Sequence, residues 1–107
     1  MDMTGHRLKF HEKLCDILGS RNVYYMPGSD VTMHYPAIRY SLSNINSRYA
    51  NNKNYTNRPQ YTLTLITDDP DTDLRQRLMD FLTIYPFRYD RPYMADNLYH
   101  DVFVVNI

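Results

Sequence analysis

The sequence predicts an α+β domain of two layers: a mainly antiparallel β-sheet, two α-helices packed on one face of it, and a long loop between the central strands. Two segments carry the apolar spacing or the start signals of helices, and several others alternate apolar and polar residues as half-buried strands do. The predicted strands are joined by turns or loops, which favours antiparallel neighbours, and helices on a single face complete a two-layer core.

The length and charge of the chain limit the class of protein to which it can belong. Residues 1–107 fit one domain. The twelve basic and twelve acidic residues cancel, and no basic run exceeds two residues, so the chain lacks the basic stripe that holds nucleic-acid phosphates. No apolar run approaches the roughly 20 residues that span a bilayer. We therefore expect no specific nucleic-acid binding and no membrane insertion.

The first predicted helix runs from Thr4 to Leu18. Thr4 can cap its start, and Gly19 can end it in a left-handed conformation. Cys15 is the only cysteine of the sequence, so an intramolecular disulfide and a multi-cysteine zinc site are excluded. The residues that recur at steps of three and four, and should form the buried stripe, are Leu8, His11, Leu14, Cys15 and Leu18.

Three strands are predicted before the second helix. Asn22 to Met26 is a short β-type stretch, Ala37 to Ile45 alternates clearly, and Gln60 to Thr67 has the strongest alternation. The positions expected to face the core are Ile38, Tyr40 and Leu42 on the second strand and Tyr61, Leu63 and Leu65 on the third.

The segment 46–59 lies between the last two of these strands and has a different composition. Five of its fourteen residues are asparagine, and its apolar content is essentially two tyrosines, so it cannot contribute to a core. We expect a long connection or the protruding tip of a hairpin. Basic and aromatic side chains suit an interface, and the candidate subunit or tube contacts are Arg48, Tyr49, Lys53, Tyr55 and Arg58.

The second helix is predicted from Asp69 to about Leu82, with Asp69 as its N-cap and Pro70 as its first helical residue. A calcium loop starting at Asp69 would need glycine and glutamate where Leu74 and Asp80 stand, so helix start is the better interpretation of the aspartates. The residues expected to be buried are Leu74, Leu78, Phe81 and Leu82.

The C-terminal part is predicted to form two strands, Phe87–Tyr93 and Leu98–Ile107, joined by a turn. Its polar residues favour a structural hairpin, because Asp and Asn stabilise turns, and the pairs 90–91 and 100–101 are expected to interact across the strands. A metal-dependent nuclease site of Asp90, Asp96 and His100 is the competing interpretation. The residues assigned to the structural hairpin are Asp90, Arg91, Asp96, Asn97, His100 and Asp101.

Roughly residues 37–107 resemble the tail terminators, or tail-completion and head–tail joining proteins, of tailed bacteriophages. The resemblance depends on the blocks Tyr61-Thr-Leu-Thr-Leu-Ile-Thr-Asp-Asp-Pro-Asp71, Phe87-Arg-Tyr-Asp-Arg91 and Asp96-Asn-Leu-Tyr-His-Asp-Val-Phe103. The leucines at positions 74 and 78 and the earlier stretch Tyr49-Ala-Asn-Asn-Lys-Asn-Tyr55 also fit it.

This resemblance implies a structural virion protein without enzymatic activity, catalytic residues or a cofactor. Its subunits would form a homo-oligomeric ring, typically a hexamer, at the head-proximal end of the tail tube. The ring would end tube growth, bind the tail-tube protein and a head or neck connector, and let DNA pass through its lumen. The protein would be located at the tail–neck junction of the virion and in the host cytoplasm during assembly.

Three other functions remain open at the level of sequence. A neck adaptor or stopper protein would have a similar sequence. A small nuclease would use the aspartate and histidine set described above, and a dimeric interaction module would need no site at all.

Overall fold

The computed structural model describes the backbone of residues 3–50 and 53–107 and the side chains of residues 5–45 and 59–107. Its elements, in chain order, are α1 (Met3–Leu18), β1 (Val23–Tyr25), β2 (Ala37–Ala50), β3 (Lys53–Thr67), α2 (Leu74–Leu82), β4 (Phe87–Ala95) and β5 (Leu98–Asn106). None of the helices in these ranges has the length and apolar character needed to cross a membrane.

The five strands form one sheet in the order β1-β2-β3-β5-β4. The short edge strand β1 runs parallel to β2, and every other neighbouring pair is antiparallel. The predicted α+β class with a mainly antiparallel sheet is therefore confirmed.

Both helices pack on the same face of the sheet. The members of the core cluster alternate along β2, β3 and β5, as expected for the face that the helices cover, and they pack with side chains of α1 and α2. The opposite face of the sheet also has buried side chains, which are Thr64, Ile66, Val102 and Val104. Phe10 of α1 and Phe81 of α2 lie with ring centroids 5.8 Å apart, which joins the helices to each other above the sheet. The fully buried members of this core include Phe10, Leu14, Tyr40, Tyr61, Leu63, Leu65, Leu78, Leu82, Phe103 and Val105.

The stripe predicted for α1 was wrong at one end. Leu8 is 50% exposed, whereas Phe10, which the prediction omitted, is only 1% exposed. At about 100° per residue, Phe10 lies roughly 40° from Leu14 around the helix and Leu8 lies roughly 120° away. Leu8 therefore falls beside the buried stripe rather than within it.

The start predicted for α2 was also wrong, because the helix begins at Leu74 and not near Asp69. Asp69 organises a separate turn: its carbonyl accepts the Thr72 N–H at 3.3 Å, and its Oδ1 accepts the Asp71 N–H at 2.9 Å. The Thr72 hydroxyl oxygen accepts the Leu74 N–H at 3.2 Å, so it satisfies a donor at the start of the helix. The aspartates consequently lie on an exposed turn before the helix.

The long loop predicted between the central strands is a hairpin, the other form that the composition of residues 46–59 allows. The β2–β3 pairing continues from Ala37↔Ile66 to Ala50↔Lys53, with register shifts after Leu42 and after Arg48. Asparagine and threonine do not prevent this, because each strand satisfies the backbone groups of the other whatever the side chains are.

The last two strands form a tight hairpin. Ala95 pairs with Leu98, so Asp96 and Asn97 are its two turn residues, and both have positive φ, 54° and 62°. This combination is typical of a type I′ turn, which matches the twist of antiparallel strands. Asp and Asn tolerate the left-handed conformation better than most residues, which explains their presence here.

Candidate functional site

The first candidate surface is the outer part of the β2–β3 hairpin, described over residues 45–50 and 53–59, which we call the arm. The strand β5 pairs with β3 only from Gln60 to Thr67, and β1 pairs with β2 only from Ile38 to Tyr40. In the described backbone the arm is therefore a two-stranded ribbon, projecting about 20 Å beyond the sheet at roughly 3.3 Å per residue. The arm and sheet together give the molecule its long axis of 50 Å, against 27 and 24 Å in the other directions.

All five candidate interface residues lie on the arm. Arg48 and Tyr49 belong to the β2 side, opposite Thr56 and Asn54, and the register shift between these two pairs leaves Tyr55 as the extra residue of a bulge. Lys53 pairs with Ala50 next to the tip, and Arg58 pairs with Asn46 near the base. Their side chains, and residues 51 and 52 altogether, lie outside the described part of the chain.

The second candidate surface is the acidic turn, residues 68–73, at the opposite end of β3. It contains the exposed Asp68, Asp69, Asp71 and Asp73 and no basic residue. The ion pairs among the described side chains involve Glu12, Asp90 and Asp101, and none involves these four aspartates. Four carboxylates therefore present their charge to solvent.

A cleft of about 280 Å³ lies beside the acidic turn. Its lining residues are Pro70, Arg75, Pro92, Tyr93, Met94, Tyr99, His100 and Asp101. Met94 is 60% exposed and Tyr93 is 42% exposed, so large apolar surface remains uncovered here. The Tyr93 ring stacks on His100 with centroids 4.5 Å apart and planes tilted by 16°, which holds one wall of the cleft in place.

Behind the cleft, a buried carboxylate joins α2 to the sheet. Asp101 is 1% exposed and accepts a hydrogen bond from the Tyr89 hydroxyl at 2.7 Å. Arg75 Nε lies 3.0 Å from Asp101 Oδ2 at an angle outside the hydrogen-bonding range, so this contact is an ion pair. Burial, followed by the bond to Asp101, raises the pKa of Tyr89 to about 12. Since the Arg75 Nη2 also donates to the Pro70 carbonyl at 3.0 Å, this residue fixes the acidic turn against the sheet.

The cross-strand polar pairs expected at 90–91 and 100–101 do not form. The two-residue turn sets the register so that Tyr93 faces His100, Pro92 faces Asp101 and Arg91 faces Val102. A bulge follows at Asp90, which pairs with Arg88 on its own strand at 2.8 Å.

The same register separates the residues of the competing nuclease interpretation. Asp90 lies in the bulge, Asp96 in the turn, and His100 in the stack with Tyr93. Among the residues that the structure describes, no group of three His, Cys, Asp or Glu side chains could hold a metal ion.

A second polar cluster was not anticipated from the sequence. Tyr40 is 1% exposed, and its hydroxyl lies 2.7 Å from His11 Nδ1 and accepts from Arg7 Nη1 at 3.3 Å. Arg7 also lies over the Tyr25 ring, 4.1 Å from its centroid. Burial, and then the charge of Arg7, lowers the pKa of His11. The cluster lies under α1 and links it to β1 and β2, and is structural in character.

Cys15, one helical turn from His11, is not an activated thiol. The side chain is buried in the core, and burial raises its pKa. Both effects disfavour the thiolate that nucleophilic chemistry requires.

Sequence reasoning identified the arm as an interface, but it assigned the aspartates of the acidic turn to a helix start. It also did not place Tyr93, Met94 and Tyr99 together. The only local signal was a pair of strands rich in aromatic residues, and their meeting with Pro70 depends on the sheet order. No protein-family model and no curated protein matches this chain.

Proposed function

We propose that this protein is a structural virion protein that forms a ring, typically a hexamer, at the head-proximal end of a phage tail tube. There it ends tube growth and joins the tail to the head or neck connector. The proposal rests on the resemblance of residues 37–107 to tail terminators, and two features of the molecule support it: the arm and the charge of the chain.

The observation that carries most weight is the arm. A two-stranded ribbon with no third strand in the described sheet leaves backbone donors and acceptors along both edges, which are groups that a partner can pair with. Proteins usually shorten or cover such edges. A projecting ribbon with open edges is expected in a protein whose partner covers those edges after assembly.

The charge of the chain also agrees with the proposal. The net formal charge is zero, with no basic stripe, so a lumen built from such subunits need not grip the DNA that passes through it. Opposite charges are instead separated between two segments: the arm contains three basic and no acidic residues, and the acidic turn contains four acidic and no basic residues.

Mass measurement and electron microscopy of the purified chain test the ring. We expect particles of about six times the 12.8 kDa monomer mass in light scattering, and annular particles in negative stain. A chain that stays monomeric at all concentrations, alone and with tail-tube protein, would contradict the proposal.

Tube assembly tests the terminator activity itself. Tail-tube protein should form shorter, capped tubes when this protein is added, and the cap should bind the neck connector. Incubation of the same preparation with DNA and Mg²⁺ or Mn²⁺ should leave the DNA intact, whereas metal-dependent cleavage lost in His100→Ala would replace a structural function with nuclease activity.

A further inference from the structure

The arm and the acidic turn have opposite charge and lie at opposite ends of the same strand. Residues 45–59 include Arg48, Lys53 and Arg58 and no acidic residue, whereas residues 68–73 include four aspartates and no basic residue. Asp96 of the β4–β5 turn lies at the same end as the acidic turn, because Thr67 pairs with Tyr99 and Ala95 with Leu98.

The two ends are too far apart to meet within one molecule. The strand β3 contains 15 residues from Lys53 to Thr67, which span about 50 Å at roughly 3.3 Å per residue, as long as the molecule itself. The positive end of one copy can therefore contact a negative end only if that end belongs to another copy.

Apolar chemistry matches at the same two places. The cleft beside the acidic turn exposes Tyr93, Met94 and Pro70, a surface suited to an aromatic side chain. The arm supplies two tyrosines, Tyr49 and Tyr55, within two residues of basic residues. An acidic rim with an apolar cleft is thus complementary to a basic segment that carries aromatic anchors.

We propose that the arm of one copy docks on the acidic turn and the adjacent cleft of the next copy. This inference rests on the proposed ring and identifies its subunit contact. Because the two surfaces differ, the contact is heterologous, and contacts of this kind close into a ring when the rotation between successive copies is suitable. Arg75 acts as a positioning residue, since it holds both Asp101 and the Pro70 carbonyl behind the docking surface.

Charge exchange tests the contact. The arm variant carries Arg48→Glu and Lys53→Glu, which changes the formal charge of the arm from +3 to −1. The turn variant carries Asp68→Lys, Asp71→Lys and Asp73→Lys, which changes the charge of the acidic turn from −4 to +2. None of these three carboxylates has a described hydrogen-bond partner, so the turn should keep its fold. Each variant should weaken self-association by about tenfold or more, because attraction between the two ends becomes repulsion. The combined variant, which carries all five substitutions, should recover it.

The matched control carries Lys9→Glu and Lys13→Glu on the exposed face of α1, which changes the charge by the same four units as the arm variant but away from both ends. It should assemble like wild type. Equimolar mixing of the arm variant with the turn variant should also restore rings, because the arm of each then meets a turn of opposite charge. Raising the salt from about 0.1 M to about 1 M shortens the Debye length from about 10 Å to about 3 Å and should weaken the association of wild type and of the combined variant alike.

The outcomes separate this contact from the proposed ring. Normal ring formation by both the arm variant and the turn variant would overturn the docking contact and leave the ring proposal intact. An arm variant that forms rings but no longer binds tubes would also overturn it, by assigning the arm to the tail tube. Charge-dependent association that stops at a dimer would retain the docking contact and contradict the ring.

Discussion

The β2–β3 hairpin has an inner half, residues 37–44 and 60–67, and an outer half, the arm. The two halves belong to the same two strands but are stabilised differently. In the inner half, Tyr40, Tyr61 and Leu63 are at most 1% exposed and pack under both helices. In the outer half, the arm, the same pairing continues through a sequence of Asn, Thr, Ser and charged residues, without a third strand in the described sheet.

This difference distinguishes what determines the buried face of a strand from what determines its length. Apolar alternation reports which part of a strand lies over a core, whereas backbone pairing decides how far the strand extends. Once the inner half fixes the register, each further pair in the arm adds backbone hydrogen bonds without needing buried side chains. Stability of the domain should therefore depend on the inner half and assembly on the arm.

Leu78→Ala should produce the largest effect, because it removes a fully buried side chain from the core that supports the inner half. We expect the free energy of unfolding to fall by about 2–5 kcal/mol, from lost burial and the cavity that remains. Urea denaturation followed by circular dichroism measures it. Leu8→Ala is the matched control on α1: because Leu8 is half exposed, its loss should be less than about 1 kcal/mol, and equal losses would mean that the core is misplaced.

Arg75→Ala should have the next largest effect, since it leaves the Asp101 carboxylate buried with only the Tyr89 hydroxyl as partner. We expect about 1–3 kcal/mol, less than for a fully buried ion pair, because the Arg75 side chain is one-third exposed. Asp101→Asn removes the charge but keeps an acceptor for Tyr89, so it should cost less. Ultraviolet titration of that variant should show the pKa of Tyr89 falling from about 12 towards its ordinary value. An unchanged titration would exclude Asp101 as a cause of the shift.

Mild acid should lower the free energy of unfolding through His11, which contacts Tyr40 of the inner half. Its pKa is lowered in the folded protein, chiefly by burial and then by Arg7, with Arg21 acting in the same direction and Glu12 opposing them. The unfolded chain therefore binds the proton first, and stability should fall as the pH decreases from about 6.5 through the lower folded pKa. His11→Gln should reduce the loss between about pH 7.5 and pH 5 in denaturation experiments. A loss of the same size in the variant would assign the pH dependence to other groups.

Much of the fold could be predicted from the sequence because the strongest signals are local. Alternation placed Tyr61, Leu63 and Leu65 on the covered face, and the turn residues Asp96 and Asn97 lie at the predicted turn. The stripe of α1 was misassigned at Leu8, because two successive steps of three residues, from Leu8 to His11 and to Leu14, drift by about 120° around the helix, whereas Phe10 is one step of four from Leu14. The start of α2 was misplaced because Asp69 and Pro70 suit a turn as well as a helix start.

The candidate site was only partly predictable, since half of it depends on tertiary structure. Basic and aromatic residues between two strands were enough to indicate the arm as an interface. The cleft needs Pro70, Tyr93 and Tyr99 to meet, which follows from the sheet order and not from spacing. Asp101 was assigned to the hairpin, and its partner Arg75 lies in a helix 26 positions earlier and has no local signal.

Shortening the arm should have the smallest effect on stability. Replacing residues 47–57 by Asn-Gly keeps the pair Asn46↔Arg58 next to a two-residue turn that suits a hairpin. The core-facing residues of β2 and β3 are untouched, so the free energy of unfolding should change by no more than about 0.5 kcal/mol, while ring formation and tail joining should be impaired.

In the full-length chain, amide hydrogen exchange across residues 46–59 should slow on assembly, because a partner covers the open edges of the ribbon. The inner amides of residues 61–65 serve as the internal control, since β3 already pairs there with β2 and β5 in the monomer. Equal exchange of the arm in monomer and assembly, together with normal rings from the shortened variant, would show that partners do not use the arm, and the contrast between a stabilising inner half and an assembling outer half would no longer hold.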